Sequence, residues 1–363
     1  MTEVIRADSR ALQKKLLDFR KKLYSGQGIY VDNNYYMLKE IFSGKLNFIK
    51  NMSVCPLMVT ENGKIICCGI TAYTKELPEY IQLCFFESLP DRADAAEMLV
   101  RETEKIGKEH GCSKVVIGLY GHVNYGLGLL DSHFEKKNSF SSPGNPAYYN
   151  DYFRSLGCSE TRLSSYFTSK LDDRLKRFDR LIAKLERSYE FRCFDKSRFT
   201  EYAKIYTDLN NSCFTEHRYY YKRCYEDDCE MLKTLFLFMK EDSLVFAYHN
   251  GKPVGFIMWY PDWNELAAPG EAFGTKHFFL NLLKGKSIRT GKVMEYGVLK
   301  EYRSSGLPMA LIKHVYDSMK KQGCVQMETS WILDENTDSN SFCKALCDET
   351  YKKYVVYEKD IVQ

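Results

Sequence analysis

The sequence predicts an α/β (α+β) chain built from two units on one plan, and three observations carry that reading. At 363 residues the chain exceeds the usual size of a single compact core, so two domains of about 100–200 residues each are expected. A hairpin signal occurs twice, as Asn62-Gly63-Lys64 and as Asn250-Gly251-Lys252. Each hairpin is followed by the same series: a strand, an amphipathic helix, Gly-Cys, and a further strand.

Each Asn-Gly lies between apolar runs, Pro-Leu-Met-Val-Thr and Ile-Ile-Cys-Cys-Gly-Ile-Thr-Ala-Tyr in the first half, Leu-Val-Phe-Ala-Tyr and Pro-Val-Gly-Phe-Ile-Met-Trp-Tyr in the second. A type I′ turn needs positive φ at both central residues, which Asn and Gly tolerate. The first helix is predicted over 93–109, with Ala96, Leu99, Thr103 and Ile106 on one face and a Glu97–Arg101 pair on the other. Gly111-Cys112 ends it, and Val115-Val116-Ile117 reads as a buried strand. The second helix is predicted over 307–322, with Leu307, Leu311, Val315 and Met319 recurring on one face. Gly323-Cys324 ends that helix and Val325 opens the next strand. Both halves close on an aromatic strand, through Tyr166-Phe167 and through Tyr354-Val-Val-Tyr357.

The expected boundaries are a degenerate first domain over 1–172, a helical linker over 173–188 that carries the basic run Arg174–Arg180, and a second domain over 189–363. Between these landmarks the second copy is longer by about 24 residues, within 261–290, and this insertion includes the helix-like stretch Phe278–Leu283. An insertion beside a strand end is a position for a substrate lid.

Composition excludes several classes. Fifty-two basic against 48 acidic residues give a net charge of only +4, evenly spread, where nucleic-acid binding asks for a concentrated basic face. No run of 18 apolar residues occurs, so no membrane partner is expected. The 13 cysteines include no Cys-x-x-Cys and no paired Cys or His at zinc spacing, so neither a disulfide framework nor a metal site is expected. They read as small buried hydrophobes in a reducing, cytoplasmic setting, with no secretory signal at the charged N-terminus. Oligomeric state leaves no mark in the sequence.

The chemistry concentrates in Val293–Ala310, where a strand over 293–298 runs into a short turn that opens the second helix. Backbone N–H groups at a helix start lack intrahelical partners, and the macrodipole adds partial positive charge there. Ser304, Ser305 and Gly306 let a phosphate approach the backbone, and Arg303 adds a full charge. That is a pyrophosphate cradle by mechanism. It is neither a P-loop nor a dinucleotide turn, since Lys-Ser/Thr and the further glycines are missing.

At these residues the sequence resembles the GNAT (N-acetyltransferase) superfamily. The family loop Arg/Gln-x-x-Gly-x-Gly/Ala appears here as Arg303-Ser304-Ser305-Gly306-Leu307-Pro308. The resemblance implies two such folds in tandem, each a mixed, mostly antiparallel sheet flanked by helices. It implies acetyl-CoA or another acyl-CoA as co-substrate, held by Gly297, Val298, Arg303, Ser304, Ser305, Gly306, Leu307 and Met309, with Asn336 as the family's following Asn. Over nearly its whole length the chain is similar to a bacterial group of tandem GNAT proteins described as acetyltransferase-like. The residues are Gly118-Leu-Tyr-Gly-His-Val-Asn124, Gly128-Leu-Leu130, Asn145-Pro-Ala-Tyr-Tyr149 and Ser330-Trp-Ile-Leu333.

Pro308 departs from the family pattern and removes one N–H donor, while favouring the first helical turn. The first half has no Arg-x-x-Gly-x-Gly between Phe85–Pro90 and its helix, so coenzyme is not expected there. For a small-molecule or peptide amine to attack a thioester, a base must take one proton and an acid must return one. Glu328 and Glu295 are the candidate bases. The stretch Asn340–Leu346 has no Tyr where the family often places its acid, which leaves Tyr351 or Tyr354. Two readings compete with the acyltransferase: a non-catalytic protein that keeps the fold, and a Fem-type aminoacyl transferase, which would favour a basic groove and a long helical arm.

Overall fold

The computed structural model describes Met1–Val362. In chain order its elements are β1 (Thr2–Arg6), α1 (Arg10–Gln27), α2 (Tyr35–Ser43), β2 (Met52–Glu61), β3 (Lys64–Thr74), β4 (Tyr80–Ser88), α3 (Ala93–Glu109), β5 (Lys114–Ile117), β6 (Leu129–Leu130), α4 (Tyr148–Ser155) and β7 (Ser159–Thr168). There follow α5 (Leu171–Lys176), α6 (Asp179–Ser188), β8 (Glu190–Cys193), α7 (Phe199–Cys213), α8 (Tyr225–Leu235), β9 (Leu244–His249), β10 (Lys252–Pro261) and α9 (Thr275–Lys284). The chain closes with β11 (Thr290–Val298), α10 (Leu307–Lys321), β12 (Gln326–Thr329), β13 (Ile332–Leu333), α11 (Thr337–Leu346) and β14 (Glu349–Asp360).

Both Asn-Gly turns adopt the backbone that their residues allow. Asn62 and Gly63 have φ of 50° and 76°, and Asn250 and Gly251 have 50° and 75°. They join β2 to β3 and β9 to β10 as antiparallel hairpins. The apolar faces of α3 and α10 are buried as their periodicity requires: Ala96, Leu99 and Thr103 in one, Leu307, Leu311, Val315 and Met319 in the other. The span 173–188 falls in α5 and α6.

The chain divides into two units. The first comprises Met1–Ser164, Ala267–Gly274 and Lys352–Gln363; the second comprises Ser165–Leu266 and Thr275–Tyr351. In the first unit the strand order is β1-β2-β3-β4-β5-β14, antiparallel except for the parallel pair β4–β5. Its core gathers Leu57, Leu83, Leu99, Val115, Phe153, Val355 and Tyr357. In the second unit the order is β7-β12-β11-β10-β9-β8, again antiparallel except for β11–β12.

The expected division at 172 and 189 left each half its own closing strand, and the pairing differs. Tyr357 to Asp360 pair with Ile117 to Lys114 of β5, and Val355 and Tyr357 enter the first unit's core. Phe167 and Thr168 pair with Glu328 and Met327 in the second unit. The aromatic pattern marks both segments as strands, but backbone hydrogen bonding is the same for any partner, so only tertiary packing selects the edge. Part of the insertion also belongs to the first unit, where the Asp32 N–H donates to Glu271 O at 2.8 Å and the Phe273 N–H donates to Asp32 O at 3.0 Å.

A fragment ending at residue 172 therefore lacks β14 and leaves β5 without its antiparallel partner. It is expected to show no cooperative thermal transition by circular dichroism, whereas the full chain shows one.

Candidate active site

In the second unit β11 and β12 run parallel for four register pairs, from Thr290–Gln326 to Val293–Thr329. The Ser330 N–H still reaches Val293 O at 2.8 Å, and there the pairing stops. β11 continues to Val298 against β10, with a bulge at Met294 between the pairs Met258–Glu295 and Trp259–Val293. Burial changes at the same point: Gly291, Lys292 and Val293 are buried, whereas Met294, Glu295 and Tyr296 are half-exposed, as are Ser330 and Trp331. The strand expected after Gly323-Cys324 breaks here into β12 and β13.

Main-chain direction in this opening follows from the ladder. The Leu299 N–H donates to Val254 O at 3.0 Å. Hydrogen-bonded pairs alternate in an antiparallel ladder, so Gly297 turns its N–H and C=O toward β10 and Val298 turns its own away, into the cleft.

Past Val298 a 3₁₀ turn, Lys300–Ser305, leads to Gly306, and α10 begins at Leu307. Gly306 has φ of 83°, a conformation an L side chain rarely adopts. Some of the donors foreseen in the sequence are engaged within the turn: Leu307 N–H to Ser305 Oγ at 3.2 Å, and Met309 N–H to Gly306 O at 2.9 Å. Pro308, in the first turn of α10, supplies none. Arg303 folds back on the strand. Its Nε donates to Val298 O at 3.2 Å and its Nη2 to Cys213 O at 3.0 Å. Glu216 accepts from Lys300 at 2.9 Å and lies 3.4 Å from Arg303, and its carboxyl is held below the usual range by Lys300 first and Arg303 second. The structure thus brings Gly297, Val298, Arg303, Ser304, Ser305, Gly306, Leu307 and Met309 together around the start of α10.

Glu295 sits on the opened stretch of β11. The Tyr206 hydroxyl and the Asn210 amide, the latter at 3.0 Å, donate to its two oxygens. Tyr220 Oη lies 3.0 Å from Asn210 Oδ1 and 2.6 Å from Asn211 Oδ1, and the buried pair Arg223–Asp228 closes the network at 2.5 Å. Burial pushes the Glu295 carboxyl up to about 7, against the two donors and Arg223, which favour its charge. A carboxyl near 7 with residual exposure is suited to accept a proton at neutral pH.

Glu328 occupies a different setting. It is buried on β12, in register with the buried Lys292 on β11. Tyr351 packs against Phe167 with ring centroids 5.4 Å apart. Tyr354 belongs to the first unit, paired with Leu130. Asn336 caps α11, its side chain accepting from the Ser339 N–H at 3.1 Å. Sequence reasoning missed Tyr206 and Asn210, although Asn210 lies at i+4 from Tyr206 on the buried face of α7 with Tyr202 and Cys213. A polar residue in that stripe was the available signal. His217 was also missed; its ring lies 6.0 Å from that of Trp331, and burial lowers its pKa to about 4, so it is neutral.

The first unit repeats the divergence and fills it. β4 and β5 pair from Tyr80–Lys114 to Leu83–Ile117 and then part. Counted from the first pair, Ser88 stands where Val298 stands. Its N–H donates to Tyr149 Oη at 2.9 Å, and Tyr148 Oη donates to its carbonyl at 2.8 Å. The Arg92 N–H, just before α3, donates to Tyr152 Oη at 2.9 Å. Tyr149 is 1% exposed, and every residue of β4 is buried. Behind it Arg20 donates to Asp32, at 2.7 and 2.8 Å, and to Glu87. The remaining cavity of about 20 Å³, lined by Glu87, Asn138, Asn145 and Tyr149 among others, has room for one water. Asn145–Tyr149 accordingly initiates a helix whose tyrosines are structural.

A glycine turn that opens a helix is what the sequence resemblance implied, and in the structure it stands beside a parallel pair that parts. Residues 201–347 match the Acetyltransferase (GNAT) family. The chain carries a GNAT domain. A tandem GNAT protein from the clavulanic acid biosynthesis pathway superposes on 100% of the chain and 99% of its own length, with a TM-score of 0.59 at 12% identity. The fold is therefore that of tandem GNAT proteins, two mixed, mostly antiparallel units in one chain. Two further relatives are Protein YghO of Escherichia coli, 26% identical over 70% of this chain and 67% of that protein, and a bacterial ceramide synthase of Caulobacter vibrioides, 22% identical over 65% and 64%.

The raised carboxyl in the GNAT domain has a stability consequence. A glutamate ionises near 4.3 in an unfolded chain and Glu295 at about 7 in the folded one. Between those values the folded state holds a proton that the unfolded state has lost, so stability falls as pH rises through the window, by at most about 4 kcal/mol. Glu87, pushed up to about 7 by burial, contributes in the same direction. Urea midpoints from about pH 5 to about pH 8 should fall less steeply in Glu295→Gln than in wild type; equal slopes would show that Glu295 is not raised.

Proposed function

We propose that the chain is an acyl-CoA-dependent N-acyltransferase that transfers an acyl group, acetyl or longer, directly from the thioester to a primary amine. The observation that carries this reading is the contrast between the two clefts. At Ser88 the main chain is satisfied by buried tyrosines, whereas at Val298 it faces a half-exposed cleft and, among the described residues, its carbonyl meets the Arg303 guanidinium, on a flexible side chain 40% exposed. A coenzyme displaces such a side chain at small cost. The helix start at Gly306–Leu307, with Arg303 and Lys300 nearby, suits the diphosphate. The Val298 N–H suits the developing oxyanion.

The reaction forms a C–N bond at the thioester carbonyl and breaks the C–S bond. Glu295 takes the proton that the amine loses, and the departing sulfur regains one from solvent or a nearby hydroxyl. Tyr206 and Asn210 hold Glu295 in place. A ceramide is the amide of a long-chain amino alcohol, and the relative of that name makes a long-chain amine the first acceptor to try. A binding-only protein of the same fold is the second reading, favoured by the Arg303 contact and by Pro308.

Acetyl-CoA or a longer acyl-CoA should raise the melting temperature of wild type by binding the native state. Ser304→Glu, at an exposed position, should keep the apo melting temperature and lose that rise. Glu295→Gln should keep the rise and lower kcat for thiol release by about 100-fold or more. A rise without thiol release on any amine supports the binding-only reading. No response of wild type to any acyl-CoA overturns the proposal.

A further inference from the structure

The helix within the insertion is built inside out. α9 is anchored from below: Phe278 lies edge-on to Phe238 at 5.5 Å, Phe238 packs on Trp263 at 5.2 Å, and Asn281 Nδ2 donates to Phe238 O at 3.4 Å. The polar residue His277 faces inward, 1% exposed. The apolar residues face outward: Phe279 is 59% exposed, Leu282 66% and Leu283 82%, and Leu237, beside Phe238, is 63% exposed. A surface helix ordinarily places these types the other way round.

Along this segment the charge has one sign, and the exposed acidic residues nearby, Glu241 beside Lys240 and Glu265 in the turn packed against α9, lie outside it. From Ala272 to Gly291 the chain has Lys276, Lys284, Lys286 and Arg289, all exposed, and no acidic residue. Lys240 adds another exposed cation next to the Phe238 turn. That pattern argues against a second copy of the chain as occupant, because a two-fold dimer through this face would set its lysines against the same lysines. It matches a surface with an apolar interior and anionic headgroups. Phenylalanine and leucine on one side of a short helix enter the headgroup boundary while lysines at the rim meet phosphate.

We propose that α9, with Leu237 beside it, docks the protein on anionic phospholipid bilayers, with Phe279, Leu282 and Leu283 inserted and Lys276, Lys284 and Lys286 at the headgroups. The helix lies in the interface and does not span it. The sequence expectation of no membrane partner rested on the absence of a spanning run, and the structure has no helix long and apolar enough to cross a membrane among the described residues. Neither observation bears on a ten-residue helix lying flat. The inference goes beyond the acyltransferase reading and stands on separate residues.

Cosedimentation of the full chain with vesicles tests it, using phosphatidylcholine alone or phosphatidylcholine with one quarter phosphatidylglycerol. Wild type should pellet with the anionic vesicles, weakly with the neutral ones, and less as salt is raised. Lys284→Glu/Lys286→Glu should bind anionic vesicles at least about tenfold more weakly, and Leu282→Gln/Leu283→Gln should lose binding while keeping the wild-type melting temperature. Wild type remaining in the supernatant with anionic vesicles overturns the proposal, as does undiminished binding by both variants. A dimer by light scattering that Leu282→Gln/Leu283→Gln dissolves, without vesicle binding, would assign the face to self-association instead.

Discussion

The parting of β11 from β12 after Val293 and Thr329 is the constraint on which the rest depends. A sheet satisfies its main chain by pairing, so a strand that leaves its neighbour exposes a row of donors and acceptors that must find partners elsewhere. The bulge at Met294 and the ladder alternation decide which groups those are, and they place Val298 toward the opening. The glycine turn then starts α10 at the mouth of the same opening. One backbone departure thus leaves an opened groove, a main-chain group turned into it and a helix start at its mouth, the three features on which the proposed acyltransferase reading draws.

The first unit has the same departure and answers it with its own side chains. Tyr148, Tyr149 and Tyr152, on successive positions of one helix face, meet the main chain of Ser88, Leu89 and Arg92. The loop from β4 to α3 is shorter than its counterpart and has no glycine, so no helix start is held open. Beneath the tyrosines, Arg20 bridges Asp32 and Glu87. A buried ion set of this kind adds little net stability, but removal of one member strands the others, at about 3–5 kcal/mol. The first cleft is locked as structure, while the second has, among the described residues, a flexible arginine at the equivalent carbonyl.

Glu295 and Glu87 show how one residue type is held in two different surroundings. Both are pushed up to about 7 by burial. Glu87 is 5% exposed and pinned by Arg20 and Tyr149, so its proton has no access to a ligand. Glu295 lies on the opened part of its strand, held by neutral donors, and retains solvent contact. Access, rather than acidity, separates the two carboxyls, and it is why the proposed reaction is assigned to Glu295.

The sequence by itself determined the local elements, because turn chemistry and periodicity act over a few residues. The Asn-Gly turns, the helices over 93–109 and 307–321, and the turn from Arg303 to Gly306 were legible for that reason. Glu295 was legible as a candidate but not above Glu328, since both are glutamates on strands. Only tertiary structure separated them, by setting Glu295 past the point of divergence against Tyr206 and Asn210 from a helix some ninety residues earlier. It alone also decided which sheet edge each closing strand joins, that Arg303 rests on Val298 O, and that α9 turns its apolar side outward. Each of those depends on contacts between residues distant in sequence, and a hydrophobic pattern records that a face is apolar without recording what covers it.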